Sequence, residues 1–265
     1  SLKTLFLAGE PLDTGTSSWI NKRLPATEIV DNYWQTETGW PILSAQFGIE
    51  KTKIKPGSPS FPVFGYDIDL IIDGRPIKGP GEKKGMLCIR YPLPPGSLQT
   101  IWNNDERFKD TYFFEFNSNL YYKTFDFAEI DEQGYFFILG RTDDVINVAG
   151  HRIGTREIEE AIQLHEIVAE AAVIGTKDKL KGQTPVAFVV KKNITQEVPV
   201  KNDLQVDESD TLLKEELEAL ISEELGRFAK PSMIYFVLSL PKTRSGKLLR
   251  RVMQALCDGE DVGDI

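Results

Sequence analysis

The sequence changes texture once, near Arg141, and that change commits the chain to two folding units of different kinds. Up to about residue 140, short apolar runs alternate with Gly, Pro and Asp: residues 27–33, 66–72, 85–91, 121–130 and 135–139. Runs of this length between turn formers predict strands. Asp131-Glu132-Gln133-Gly134 joins the last two as a hairpin turn. Leu5-Phe6-Leu7-Ala8-Gly9 predicts a buried strand; helix signals are few in this half, and residues 16–23 carry the best one. Thr14-Gly15-Thr16-Ser17-Ser18 resembles a phosphate loop but reads better as the start of that helix.

Beyond Arg141 the period becomes helical. Ile158, Ala161, Ile162 and His165 fall at i, i+3, i+4 and i+7, with Thr155 as the expected N-cap. Residues 169–174 and 185–191 predict strands. Residues 210–225 predict an acidic amphipathic helix with Leu213, Leu217, Leu220, Ile221 and Leu225 on one side. A strand over 233–238 and a helix over 248–256 follow, and the polar stretch 192–209 reads as a surface loop. The expected fold class is α/β (α+β): a β-rich part over 1–143, then a compact α/β domain over 144–265.

With 41% hydrophobic residues in 265, both parts can bury a core. A net charge of −9 argues against nucleic acid or an anionic membrane as partner. No apolar run reaches membrane-span length. Cys88 and Cys257 make neither a disulfide framework nor a metal-ligand spacing, which points to a reducing cytoplasm. Opening on a core strand, without Met or a signal peptide, the chain is expected to be a piece of something longer.

Four segments carry polar groups suited to chemistry. Gly9-Glu10-Pro11 leaves exposed backbone beside a flat apolar surface that suits a purine; it reads equally as a plain turn. Asp31-Asn32-Tyr33-Trp34-Gln35-Thr36-Glu37 crowds aromatic, amide, hydroxyl and carboxylate groups that suit phosphate, a hard cation and a pocket wall; the alternative is an edge strand with half-buried aromatics. Residues 140–152 hold Arg141, Asp143, Asp144, Ala149, Gly150, His151 and Arg152, where glycine admits a thin ligand; the alternative is a hairpin followed by a helix start. Lys242-Thr243-Arg244-Ser245-Gly246-Lys247 is a basic, flexible loop that fails as a P-loop, lacking the earlier Gly and the following hydroxyl. Its lysine can still meet a phosphate as a point charge.

In their order and spacing, Gly9-Glu10-Pro11, Tyr33–Glu37, Asp126, Gly140-Arg141-x-Asp143-Asp144, Gly150-His151-Arg152 and residues 241–247 resemble the adenylate-forming superfamily. Within it, residues 31–34, 92–96, 124–126 and 140–156 are most similar to short-chain acyl-CoA synthetases of the propionate-activating kind, acetate-activating ones usually having Gly in place of Phe125.

The resemblance implies a remnant of a large adenylating domain followed by a small mobile domain, hinged at Asp143. It implies ATP, Mg²⁺ and CoA as cofactors and a short-chain carboxylate, propionate or acetate, as substrate, converted through acyl-AMP. It implies Gly9, Glu10 and Pro11 at adenine; Asp31, Asn32, Tyr33, Trp34, Gln35 and Thr36 around the nucleotide, with Thr36 near the α-phosphate; and Glu37 on Mg²⁺. Asp126 and Arg141 would hold the ribose hydroxyls and Arg152 a phosphate. Lys247 would serve adenylation, and Ala149 with Gly150 would admit pantetheine for thioester formation. Trp34 would limit acid length. A main-chain cation site maps to Gln163, His165 and Val168. Ser222 stands where relatives place an Arg on the CoA phosphate, so CoA is held by other basic residues or with different affinity. A lysine acyltransferase and deacylase would act on Lys247. The family's phosphate-gripping loop has no match, so residues 1–265 alone are expected to be inactive. Two rivals stay open: an adenylation domain loading a carrier protein, and a non-catalytic nucleotide-binding piece.

Overall fold

The computed structural model describes residues 2–10, 12–192, 208–244 and 246–262. The chain divides into two compact units, Ser1–Asp143 and Asp144–Ile265.

The first unit holds β1 (Thr4–Leu7), α1 (Thr14–Arg23), β2 (Glu28–Tyr33), β3 (Leu43–Ser44), β4 (Phe61–Pro62), β5 (Asp67–Ile72), β6 (Arg75–Ile77), β7 (Lys83–Arg90), α2 (Asp105–Tyr112), β8 (Phe113–Phe116), β9 (Asn119–Ile130) and β10 (Phe136–Arg141). A four-stranded sheet runs β1-β2-β3-β4, with β1 and β2 parallel and the other pairs antiparallel. A second, antiparallel sheet runs β10-β9-β7-β5-β6, with β8 also on β9. Alternate residues of its strands, including Ile68, Leu70, Leu87, Ile89, Ala128 and Ile130, form one core with Leu43 of β3 and Ile42 just before it.

Two expectations need correction here. β1 is an edge strand rather than a buried one, with Phe6 66% exposed. A second helix, α2, exists: Asn104 accepts the Arg107 N–H at 3.0 Å, and Asp105 and Glu106 favour its first turn. The run 14–18 starts a helix as expected, because Asp13 caps the Thr16 N–H at 2.7 Å.

The second unit holds β11 (Ile146–Val148), β12 (His151–Ile153), α3 (Thr155–Gln163), β13 (Val168–Asp178), β14 (Gly182–Lys191), α4 (Glu208–Leu225), a 3₁₀ turn (Arg227–Ala229), β15 (Met233–Phe236) and α5 (Arg250–Asp258). Its sheet runs β12-β11-β14-β13, and β15 lies parallel to β14. The strands read as near-continuous apolar runs because both faces are covered. Ala171, Val173, Ala187 and Val189 pack with Ile158 and Ile162 of α3 and Leu213, Leu217 and Ile221 of α4. Ala172, Ile174 and Val186 pack instead with Leu240 and Met253.

Gly154, not Thr155, is the N-cap of α3; its N–H donates to the Glu157 carboxylate at 2.8 Å. Threonine at the next position leaves its buried hydroxyl without a partner. α3 ends at Gln163, so His165 lies past it and ties its end to α4 through Glu216 at 3.1 Å. Most of the expected loop over 192–209 falls outside the described residues. Among the described residues no helix is long and apolar enough to cross a membrane.

Candidate active site

Parallel pairing sets the first half of the site. Leu7 stands opposite Asp31, so the turn after β1 and the loop after β2 leave the same end of the sheet. Carboxyl ends of neighbouring parallel strands are where open α/β sheets take ligands. Gly9 adopts φ +107, a conformation favouring glycine, and Glu10 is exposed beside it. Pro11 lies outside the described residues. The buried Asp31 accepts the Leu12 N–H at 3.4 Å.

Two irregularities of register set the second half. Met86 pairs with Phe127 but Cys88 with Lys123, so β9 bulges at residues 124–126. The pairing of β10 with β9 also shifts beside Gly140, which brings Arg141 opposite Asp126. Bulges re-aim side chains in this way next to binding sites.

Asp126, only 8% exposed, is the hub. Its Oδ2 accepts the Tyr33 hydroxyl at 2.5 Å and the Gln35 amide at 2.6 Å. Its Oδ1 meets Arg141 Nη1 at a longer 3.4 Å. Burial pushes the Asp126 carboxyl above the usual carboxylate range, against the pull of Tyr33, Arg141 and Gln35. Burial and the Asp126 charge likewise hold the Tyr33 hydroxyl protonated. The arrangement leaves acceptor capacity on Oδ1 beside a guanidinium, which suits a vicinal diol through charge-assisted hydrogen bonds.

Not every expected side chain is available to a ligand. Asn32 spends its amide inside the sheets, donating to the Leu7 and Val30 carbonyls and accepting from Ser44. Gln35 donates to the Thr124 carbonyl and Asp126 and accepts from Tyr122 at 3.2 Å. Thr36 is exposed, and Trp34 is 48% exposed at the end of β2. Glu37 Oε1 accepts the Tyr112 hydroxyl at 3.3 Å.

The sequence reading missed the residues that stiffen this network. Thr38 bridges the Gln35 N–H, the Gln35 carbonyl and the Trp40 carbonyl with one hydroxyl. Thr124 accepts the Asp126 N–H at 3.1 Å and donates to Leu87. Tyr112 stacks on Tyr122 with ring centroids 5.7 Å apart. In the sequence, Tyr112 and Tyr122 are marked by the aromatic density of residues 112–125 and Thr124 by its place in the stretch 124–126, whereas nothing marks Thr38.

In the second unit, Ala149 and Gly150 form the two-residue tip of the β11–β12 hairpin, with φ +50 and +91. Asn147 Oδ1 accepts the Gly150 N–H at 3.1 Å, and a Cβ at Gly150 would meet nothing within 4 Å. His151 stacks on Phe228 at 4.5 Å, and Arg152 is exposed.

The two ends of the basic loop are tied together: the Thr243 N–H donates to the Lys247 carbonyl at 2.8 Å, the Lys247 N–H donates to the Thr243 hydroxyl at 3.1 Å, and Lys242 bridges Leu248. The Lys247 side chain is exposed. The Ser222 hydroxyl donates to the Glu218 carbonyl of its own helix at 2.7 Å. The His165 carbonyl accepts the Val168 N–H at 3.0 Å, which closes the Gln163–Val168 segment on itself. Main-chain oxygens without a carboxylate do not suit Mg²⁺, whereas a single carboxylate such as Glu37 beside substrate phosphates does. Among the described residues no group of three His, Cys, Asp or Glu could hold a metal ion. Asp143 is exposed and meets Arg141 Nε at 3.6 Å.

Comparison with known proteins follows this geometry. Residues 1–94 match the AMP-binding enzyme family, and residues 157–247 match the AMP-binding enzyme C-terminal domain. The propionate–CoA ligase of Escherichia coli K12 is 51% identical over 267 residues, 100% of this chain and 41% of that protein. The propionate–CoA ligase of Salmonella typhimurium LT2 is 49% identical over the same shares. The chain thus spans about two fifths of the length of these relatives. The crystal structure of the anthranilate CoA ligase AuaEII with anthranoyl-AMP matches with a TM-score of 0.77 at 26% identity, over 97% of this chain and 45% of that one. The chain belongs to the AMP-binding enzyme family.

Proposed function

We propose that the whole protein is a short-chain carboxylate–CoA ligase acting on propionate or acetate. The acid's oxygen attacks the α-phosphorus of ATP, the bond to the β-phosphate breaks, and pyrophosphate leaves. The CoA sulfur then attacks the acyl carbonyl of the adenylate, the bond to AMP breaks, and the thiol proton passes to solvent. The observation that carries this reading is Asp126: a buried carboxylate with unspent acceptor capacity, set beside Arg141 by two register shifts.

In this reading Asp126 and Arg141 hold the ribose, and Gly9, Glu10 and Pro11 border adenine. Thr36 turns its hydroxyl toward the α-phosphate. Lys247 neutralises charge developing at the reacting phosphate. The Ala149-Gly150 tip admits pantetheine, and Asp143 is the hinge that lets either element serve. Trp34 limits the length of the acid. Glu37 would hold Mg²⁺, which supplies charge neutralisation on the triphosphate. With the Ser222 hydroxyl bonded to its own helix, the CoA phosphates fall to other cations, Arg152 among the choices. Acylation of Lys247 would abolish its charge and with it the first step. A cytoplasmic location belongs to the same proposal, supported by the two free cysteines, Cys88 and Cys257.

The test is exchange of labelled pyrophosphate into ATP by the whole protein, with and without propionate, then addition of free CoA. The reading expects propionate-dependent exchange, then propionyl-CoA and AMP. Exchange without thioester from free CoA would favour a carrier-loading enzyme. Absence of exchange with every short acid would contradict adenylation.

A further inference from the structure

Phe125 has no task in the chemistry above, yet its backbone is unusual for a bulky residue. It adopts φ +59 without being glycine. The left-handed region crowds Cβ against the following carbonyl, and residues held there by their surroundings cluster at functional sites. We propose that Phe125 is the positioning residue for Arg141 and, through it, for the ribose hydroxyls. The proposal rests on the ribose-binding reading of Asp126 and Arg141.

Arg141 needs such support. Its side chain is 47% exposed, and its ion pairs are long: 3.4 Å to Asp126 and 3.6 Å to Asp143. Exposed pairs of this length do little against the rotamer freedom of an arginine. A shorter polar contact runs to the Thr124 carbonyl, at 3.1 Å.

Phe125 acts on Arg141 through its ring and on the next residue, Thr142, through its carbonyl. Its ring centroid lies 5.6 Å from the guanidinium carbon, within cation–π range. Its carbonyl accepts both the Thr142 N–H at 2.9 Å and the Thr142 hydroxyl at 3.2 Å, which fastens the backbone just after Arg141. The ring is itself held, edge to face, by Tyr112 at 6.1 Å. Lys123 Nζ lies 5.6 Å from the same ring. The ring face therefore bears on the guanidinium beside Asp126, and the carbonyl of the same strained residue fixes the backbone that carries it.

The experiment compares the affinities of AMP and 2′,3′-dideoxy-AMP in the whole protein and in three variants. Wild type and Phe125→Tyr, which keeps the ring, should prefer AMP equally. Phe125→Leu keeps apolar bulk without a π face, and Phe125→Gly accepts the left-handed backbone, so the two fail to fold for different reasons if they fail at all. Both should lose AMP affinity by roughly two- to fivefold while affinity for dideoxy-AMP stays unchanged. Equal loss for both nucleotides would mean that Phe125 is only packing and would overturn the proposal. An undiminished AMP preference in the Leu and Gly variants would overturn it too. Lack of any AMP preference in wild type would instead overturn the ribose reading beneath it.

Discussion

Asp126, the residue proposed to hold the ribose, is buried at a cost that depends on pH. Its carboxyl is raised by burial, so folding takes up a proton there. The stability it contributes is present below the ordinary carboxylate pKa, about 3.9, and is lost as pH rises through the raised folded value. Asp126→Asn cannot ionise. Its stability relative to wild type should therefore climb as pH rises through that window and then level off, measured as urea midpoints between pH 4 and pH 7. The same variant should bind AMP at least about tenfold more weakly, since hydrogen bonds to a charged group are among the stronger ones. A stability difference independent of pH would contradict the account. Trp34 belongs to this scale as well. It stands half-exposed at the end of β2, and Trp34→Gly in the whole protein should shift preference toward valerate or hexanoate. Each newly buried CH₂ is worth about 0.8 kcal/mol. An unchanged chain-length profile would put the pocket floor elsewhere.

Elements follow the sequence where the period is long and one-sided, and escape it where register decides. β5, β7, β9 and β10 were legible as apolar runs between turn formers, and α3 and α4 from Ile158, Ile162, Leu213, Leu217 and Ile221. α2 was not, because eight residues with Phe108 and Tyr112 as the apolar pair make too short a pattern. The two bulges were not legible either, since a shift of register leaves no mark in a run such as residues 121–130. Asp126 and Arg141 could thus be singled out by resemblance, whereas their opposition across β9 and β10 could not. Nor could the sequence show that the Asn32 and Gln35 amides are spent on the scaffold. Pairing also creates an obligation at Gly85 in β7. A Cβ there would lie 2.7 Å from the Ile71 carbonyl oxygen and 2.9 Å from an Ile72 side-chain carbon. Gly85→Ala should cost about 1–3 kcal/mol, seen as a lower denaturant midpoint with an unchanged slope. A variant as stable as wild type would mean that β5 and β7 separate without cost.

For the molecule as a whole, the chain presents two chemically different elements to one proposed reaction sequence: the basic loop that carries Lys247 and the left-handed hairpin tip at Ala149-Gly150. In the proposed reading one carries charge for a phosphate, and the other lacks side-chain bulk where a thin thiol-bearing arm would pass. Neither element does the other's work, so their losses should separate. The most direct measurement takes the two half-reactions apart in the whole protein, comparing propionate-dependent pyrophosphate exchange with thioester formation from presynthesised propionyl-AMP and CoA. Lys247→Ala should abolish exchange and spare the thioester step. Gly150→Leu, a residue with open space around it in its own unit, should spare exchange and abolish the thioester step. Equal loss of both half-reactions in either variant, or a Leu variant that makes propionyl-CoA at the wild-type rate, would contradict the division of labour on which the account stands.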